Sequence, residues 1–347
     1  MKEGKTMKKK LTETKFKSPY GIAGHSLTRS AWLSAIILIC SSALAENLFM
    51  SDGYSGIARD LGNIYKITPS GAPSTFASGL DGPLGLAFDR AGNLFVAYGG
   101  GAILEFTPGG TRSTFAVGLN QPEGLAFDSA DNLFVTDGGS ILEFTPNGAR
   151  IIFASGFGRA VGLAFDGTGN LFVADQLSGN VNKIAPSGMR STFASGLSNP
   201  FDVAFDSAGN LFVTDWGNGS GGHIYKFTSD GMRSTFAALG APEGLAFDSS
   251  GNLFVVDEDT GNIFRFALDG VRSTFAEAVG LSLDEVAFLA FQPAQTTPPT
   301  ASHRRQRHRH GKTKTNLMEQ MLRATGTDLG EGSIKPDDDN SADNAEN

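Results

Sequence analysis

Apolar and polar residues alternate along most of the chain in short runs, which Gly, Asn and Asp separate. In PEGLAFDSADNLFVTD (Pro122–Asp137), Leu125 and Phe127 point to one side of an extended chain and Ala126 points to the other. This alternation is typical of β-strands, and Gly, Asn and Asp suit the tight turns between them. The pattern therefore predicts an all-β protein built from short strands.

The same pattern recurs six times. The tripeptide Asn-Leu-Phe begins at Asn47, Asn93, Asn132, Asn170, Asn210 and Asn252. The Ala-Phe pair of a Leu-Ala-Phe motif recurs at Phe88, Phe127, Phe165, Phe205, Phe247 and, in a degenerate copy, Phe288. The intervals between these phenylalanines are 39, 38, 40, 42 and 41 residues, which is the length of a four-stranded propeller blade. The repeat predicts six blades, with most of the 27 phenylalanines packed between them.

The two ends of the repeat predict how the ring closes. The first unit starts at Glu46 and lacks a Leu-Ala-Phe strand, whereas the last unit supplies a lone strand, EVAFLAF (Glu285–Phe291). This strand can complete the first blade and leave no exposed edge. We therefore expect a closed six-bladed β-propeller over 46–293. A β-solenoid is the alternative, but it does not explain the complementary end strand.

The segments on either side of the repeat differ from it in composition. A basic stretch precedes the apolar run Ala31–Ala45, which ends in Ala-Leu-Ala and resembles a signal-peptide cleavage site. We expect residues 1–45 to be a signal peptide, with an uncleaved membrane anchor as the alternative and translation starting at Met1 or Met7. Cleavage removes Cys40, the one cysteine. A secreted or periplasmic bacterial protein without disulfides is expected, with no stable membrane span once the signal is removed.

Charge is distributed unevenly along the chain. Residues 46–293 contain 12 Lys and Arg and 26 Asp and Glu, so their net charge is 12 − 26 = −14, and we expect no nucleic-acid partner. Residues 294–347 are first Pro/Thr-rich, then basic, then acidic, which predicts a disordered tail. His303, His308 and His310 in the tail could bind a metal or a polyanion, or simply be solvated.

One residue per blade is expected to point toward the ring axis, directly after the proline that starts the first strand. In chain order these residues are Leu84, Glu123, Val161, Phe201, Glu243 and Asp284. Glu123, Glu243 and Asp284 are candidate oxygen ligands for a divalent cation such as Ca²⁺ or Zn²⁺, or solvated carboxylates. Asp202 lies one position further along, where other blades mostly have Gly.

Loops of variable length follow the second strand of each blade and open on the same mouth of the channel. Two of them carry aromatic residues: Ser51–Asn63 contains Tyr54, Arg59 and Asp60, and Trp216–His223 begins with Trp216. Together with Asp202 and with Tyr98, which replaces the aspartate that ends this strand elsewhere, these residues are the candidates for binding a ligand or a protein. The remaining second-strand aspartates are expected to accept hydrogen bonds from loop N–H groups.

The Pro122–Asp137 stretch and its copies resemble NHL-repeat propellers over about 250 residues. The chain is also distantly similar to the gluconolactonase/regucalcin family, whose six-bladed propellers hold a divalent metal at the channel mouth. That resemblance implies that Glu123 and Glu243 are metal ligands and that Asp284 is the base that activates water. Glu243 replaces an Asn of that family, and Phe201 stands near the place of a further Asn. Streptogramin lyases are another propeller group, and they imply a catalytic role for His223.

These observations leave three functions open. The first is an exported, monomeric, non-catalytic propeller that binds a small molecule or a protein at the channel mouth. The second is a metal-dependent hydrolase of the lactonase type. The third is a lyase that uses His223.

Overall fold

The computed structural model describes residues 46–54, 61–219, 221–277 and 285–293, and within them the chain forms six antiparallel sheets. In five sheets the four strands lie in chain order, from an inner first strand to an outer fourth strand, and in the sixth the C-terminal strands lie on the inner side of the first three. The arrangement confirms the predicted six-bladed propeller. No helix in this part of the chain is long and apolar enough to cross a membrane.

Blade 1 contains β1 (Leu48–Tyr54), β2 (Leu61–Ile67) and β3 (Pro73–Asp81). Blade 2 contains β4 (Pro83–Phe88), β5 (Leu94–Tyr98), β6 (Ala102–Phe106) and β7 (Arg112–Val117). Blade 3 contains β8 (Pro122–Phe127), β9 (Leu133–Asp137), β10 (Ser140–Phe144) and β11 (Arg150–Ser155). Blade 4 contains β12 (Ala160–Phe165), β13 (Leu171–Asp175), β14 (Asn180–Ile184) and β15 (Arg190–Ala194).

Blade 5 contains β16 (Pro200–Phe205), β17 (Leu211–Asp215), β18 (Gly222–Phe227) and β19 (Arg233–Leu239). Blade 6 contains β20 (Pro242–Phe247), β21 (Leu253–Asp257), β22 (Asn262–Phe266) and β23 (Arg272–Ala276). The C-terminal strands β24 (Glu285–Val286) and β25 (Leu289–Phe291) both pair with β1, as the lone end strand predicted.

The phenylalanines join neighbouring blades. Phe95 of blade 2 meets Phe115 of its own blade at a ring-centroid distance of 5.1 Å and Phe127 of blade 3 at 5.0 Å, both edge to face. Edge-to-face pairs add to the stability that burial of the rings provides. The same cluster of three phenylalanines recurs between neighbouring blades, so the repeated phenylalanines form the blade interfaces.

The register of the closing strand differs from the one that the sequence predicted. Leu48 pairs with Phe291, as Leu133 pairs with Phe127 in blade 3. The Phe291 ring also lies 5.0 Å from the ring of Phe254 in blade 6. Phe291 therefore holds the Leu-Ala-Phe position of the sixth repeat, and the assignment of Phe288 to that position was wrong.

The inner strands of neighbouring blades approach one another closely. A Cβ atom on Gly124 would lie 2.2 Å from the carbonyl oxygen of Val161, so only glycine fits there without a backbone shift. The buried Thr136 hydroxyl accepts a hydrogen bond from the Gly124 N–H at 2.7 Å and donates one to the Val161 carbonyl at 2.8 Å. The chain thus places its first strands tightly around the axis.

Candidate functional site

The channel has two mouths of different character. Because Pro122 pairs with Asp137, each first strand begins where the second strand ends. We call this end the loop mouth, since it carries the loops of variable length, among them the one that starts at Trp216. The opposite end, which we call the turn mouth, carries the uniform turns that start with Asp89, Asp128, Asp166, Asp206 and Asp248.

Aspartates at the ends of the second strands organise the loop mouth. Asp137 accepts hydrogen bonds from the backbone N–H groups of Asn120 and Gln121 at 2.8 and 2.7 Å. Asp215 does the same for Ser198 and Asn199 at 2.9 and 2.7 Å. The predicted structural role of these carboxylates is confirmed, because they hold the loop that leads into the next strand.

Apolar side chains close the axis just below this mouth. Val161, Phe201 and Phe288 form a buried cluster against which Leu84 packs, and the Phe201 and Phe288 rings lie 5.2 Å apart. We call these four residues the axial plug. Three of the six positions that the sequence directed toward the axis are thus apolar and packed together.

The hydrogen-bond register of the closing strand also changes which residue takes the sixth axial position. The Phe288 N–H donates to the Ser51 hydroxyl at 3.0 Å, as the Gly124 N–H donates to Thr136. Ala287 therefore takes the position equivalent to Glu123 in the closing strand. Asp284, the predicted third metal ligand and base, lies outside the described residues, and its role stays a prediction.

Glu123 is held by an arginine that sequence reasoning did not single out. The Arg159 Nε donates to Glu123 Oε1 at 3.0 Å, and the Arg159 Nη2 lies 3.0 Å from the same oxygen. The Arg159 Nη1 donates to Gln176 at 2.8 Å. Burial raises the pKa of Glu123, and the Arg159 charge only partly offsets this rise. In the sequence, the only indication of this role is that Arg159 is a lone arginine in the loop that precedes a first strand.

Glu243 lies in a different environment. Its Oε2 accepts a hydrogen bond from the Ala287 N–H at 2.8 Å, whereas its buried Oε1 has no hydrogen-bond partner. Burial raises the pKa of Glu243 well above its usual value, and the charges of Glu258 and Asp257 raise it further. The fold thus favours the protonated form of this carboxyl group.

Asp202 lies deeper than the plug, inside a cavity of about 80 Å³. Every blade contributes to the cavity the first-strand residue that is leucine in most blades, so the cavity lies on the axis. These residues are Leu86, Leu125, Leu163, Val203, Leu245 and Leu289. The Asp202 carboxylate accepts hydrogen bonds from the N–H groups of Val203 at 2.9 Å and Leu245 at 3.1 Å. Burial raises its pKa to about 7. The residue predicted to bind a ligand lies in the interior, where it links blades 5 and 6.

The remaining candidates are partly described. Tyr98 and Trp216 are half-buried at the loop mouth, and the Trp216 indole N–H is covered by protein without a hydrogen-bond partner. His223 lies opposite Asp215 in the ladder, and its ring stacks on Tyr225 at 5.5 Å. Tyr54 ends β1, but its side chain lies outside the described part of the structure, as do Arg59 and Asp60.

The described residues contain no group of three His, Cys, Asp or Glu side chains that could hold a metal ion. Glu123 and Glu243 have different partners, an arginine and a backbone N–H group. The predicted cation site depends on Asp284 and is therefore not tested by the described residues.

The chain matches no protein-family profile and no curated protein sequence. Among solved structures it is similar to a chain of a nidogen/laminin complex, with 20% identity, a TM-score of 0.60, and coverage of 70% of this chain and 98% of that one. It is also similar to virginiamycin B lyase from Staphylococcus aureus, solved as an inactive variant with quinupristin, with 13% identity, a TM-score of 0.53, and coverage of 72% and 94%. A third similar structure is that of a provisionally assigned gluconolactonase, with 17% identity, a TM-score of 0.50, and coverage of 61% and 89%. At these identities the similarity establishes the propeller fold alone.

Proposed function

We propose that this chain is an exported, non-catalytic propeller that binds a small molecule or a partner protein at its loop mouth. The observation that carries the proposal is a pair of buried polar groups at this mouth without partners, the Trp216 indole N–H and Glu243 Oε1. A buried polar group without a hydrogen bond costs about 1–3 kcal/mol, and most such groups in folded proteins have a partner. A hydrogen-bond acceptor on a ligand would satisfy each group, since the protonated Glu243 carboxyl group donates as the indole N–H does.

The axial plug supports binding rather than metal-dependent hydrolysis. A lactonase-type centre needs several oxygen ligands around one ion, but the axial plug fills the axis with Val161, Phe201 and Phe288. To bind a metal, Glu123 would have to leave Arg159, and the buried Glu243 would have to ionise. The His223 ring, on which the lyase alternative depends, stacks on Tyr225. A metal-dependent hydrolase therefore requires both glutamates to change their environment, whereas a ligand has to displace the protein that covers the Trp216 N–H.

Export and the kind of partner complete the proposal. The signal-peptide pattern over residues 1–45 supports cleavage after Ala45 and a secreted or periplasmic location. N-terminal sequencing of the protein from those fractions should then read Glu46 first. The similar chain from a nidogen/laminin complex belongs to a protein assembly, which supports a protein partner as the alternative to a small ligand. The ring is expected to be a monomer on its own.

Metal titration tests the non-catalytic part of the proposal. We call residues 46–347 the mature chain. We expect millimolar Ca²⁺ or Zn²⁺ to leave its melting temperature at pH 8 unchanged, or to shift it equally in a Glu123→Gln/Glu243→Gln variant. A metal present at 100 times its Kd would add about 2.7 kcal/mol to the free energy of unfolding. This gain corresponds to a rise in melting temperature of roughly 5–10 °C for a domain of this size. A shift of that size that the double variant loses would instead support the hydrolase.

A further inference from the structure

The turn mouth carries grooves between neighbouring blades, and one side chain from each third strand lies beside them. This position pairs across the sheet with the phenylalanine of the Asn-Leu-Phe motif, as Lys183 pairs with Phe172. Around the ring the position holds Lys66, Glu105, Glu143, Lys183, Lys226 and Arg265. Four blades therefore have a cation there, and blades 2 and 3 have a glutamate.

In three blades the ammonium group lies over the paired phenylalanine ring. The Nζ atoms of Lys66, Lys183 and Lys226 are 5.9, 5.3 and 5.1 Å from the ring centroids of Phe49, Phe172 and Phe212. Lys226 also lies 3.6 Å from the carboxylate of Asp206 in the turn beside it. An aromatic face and a turn carboxylate attract an ammonium group together. The protein thus shows from its own side chains what this kind of groove accepts.

In blade 3 the cation is replaced by Glu143, while the other elements of the groove remain. A groove of about 650 Å³ opens between blades 3 and 4. Aromatic side chains and carboxylates line it, from Phe134, Phe153, Phe165, Asp128, Glu143 and Asp166, and no Lys or Arg is among its lining residues. Burial and the nearby Asp128 charge raise the pKa of Glu143, and no lining residue of the groove offsets them with a positive charge.

Blade 2 also has a glutamate, but its surroundings differ. The Ser113 hydroxyl donates to Glu105 at 3.4 Å, and Arg90 pairs with Asp131 at 3.6 Å beside the groove between blades 2 and 3. The chain's own arginine therefore supplies a positive charge there. Blade 2 is for this reason the natural control for blade 3.

We propose that the groove between blades 3 and 4 binds a short aliphatic polyamine, with one ammonium group placed as the lysines of the other blades are. Asp128 and Asp166 accept hydrogen bonds within their own turns, as Asp206 does beside Lys226 in blade 5. Because Glu143 stands where blade 5 has a lysine, the groove carries three negative charges and no positive charge among its lining residues, so a ligand with two or three positive charges matches it better than a single lysine side chain. The groove volume lies within the range of roughly 300–1,000 Å³ that is usual for small-molecule sites. The site lies at the turn mouth and is independent of the function proposed for the loop mouth.

Spermidine binding to the mature chain, measured by equilibrium dialysis at low ionic strength, tests the proposal. The key variant is Glu143→Lys, which places in blade 3 the residue that blades 1, 4 and 5 already carry and should therefore fold. We expect it to weaken spermidine binding by about tenfold or more. The matched variant Glu105→Lys makes the same charge change in blade 2 and should weaken binding by less than about twofold.

Two further results would overturn the proposal. Equal losses in the Glu143→Lys and Glu105→Lys variants would mean that spermidine is attracted to the acidic ring in general. Binding of Nα-acetyl-lysine methylamide as tight as that of spermidine would mean that the groove binds one ammonium group, as a partner's lysine would supply. Absence of spermidine binding to the unsubstituted chain would also contradict the proposal.

Discussion

A mature chain that ends at Asp284 is expected to lose cooperative unfolding, because it lacks the strand that closes the ring. Its first blade would keep β1, β2 and β3 but expose the inner edge of β1, and the ring of Phe254 would lose its contact with Phe291. Phe288 and Leu289 are both buried, and each contributes roughly 1.5–3 kcal/mol by leaving water. With the lost strand pairing, the total approaches the whole stability of a typical domain, about 5–15 kcal/mol. Thermal melting followed by circular dichroism measures the effect.

The matched control for this truncation is a chain that ends at Pro293. It lacks only the segment after the repeat and should melt at the same temperature as the full mature chain. A chain ending at Asp284 that melts within a few degrees of this control would show that the closing strand contributes little. Such a result would contradict the closed ring.

The second large effect concerns pH. Because the pKa of Asp202 is about 7 in the fold and 3.8 in the reference state, the folded protein keeps a proton that the unfolded chain has already released. The stability linked to this group is therefore fully present below pH 3.8 and is lost as the pH rises through 7. The total loss is about 4 kcal/mol, of which roughly 2.5 kcal/mol falls between pH 5 and pH 8.

The Asp202→Asn variant removes this titration. We measure the free energy of unfolding by urea denaturation at pH 5 and at pH 8. We expect its loss between these two pH values to be about 2.5 kcal/mol smaller in the variant than in the unsubstituted chain. The variant can be less stable overall, because the amide accepts only one of the two N–H groups that the carboxylate accepts. Asp206→Asn is the control, since hydrogen bonds lower the pKa of Asp206 despite partial burial. Identical pH dependence of the Asp202→Asn variant and the unsubstituted chain would refute the account of the axial cavity.

The repeat made the fold predictable from the sequence. Each blade must present phenylalanines to both neighbours, so the same motif recurs at regular intervals, and strand order and closure follow. The closing strand was harder, since EVAFLAF contains two Ala-Phe pairs in one short stretch. Pattern alone favoured the pair that ends at Phe288, whereas hydrogen-bond register selects the one that ends at Phe291.

The site was less predictable, because it depends on which side chains meet across blades. The sequence identified Glu123 and Glu243 as exceptional at their positions, and both are buried. It could not show that Arg159, 36 residues away, pairs with Glu123, or that the Glu243 carboxylate accepts a bond from the closing strand. It also placed Asp202 among ligand-binding candidates, although burial of that carboxylate depends on the neighbouring inner strands.

The measurement that tests the central claim most directly is retention of a ligand or partner by the immobilised mature chain from the exported fraction of its own source. The account predicts a discrete retained component, which free mature chain displaces and which a Trp216→Ala variant binds at least about tenfold more weakly. A Met189→Ala variant, which changes an exposed residue beside the opposite mouth, should retain it fully, and both variants should melt close to the unsubstituted chain. Absence of any displaceable component, or unchanged retention by the Trp216→Ala variant, would contradict binding at the loop mouth.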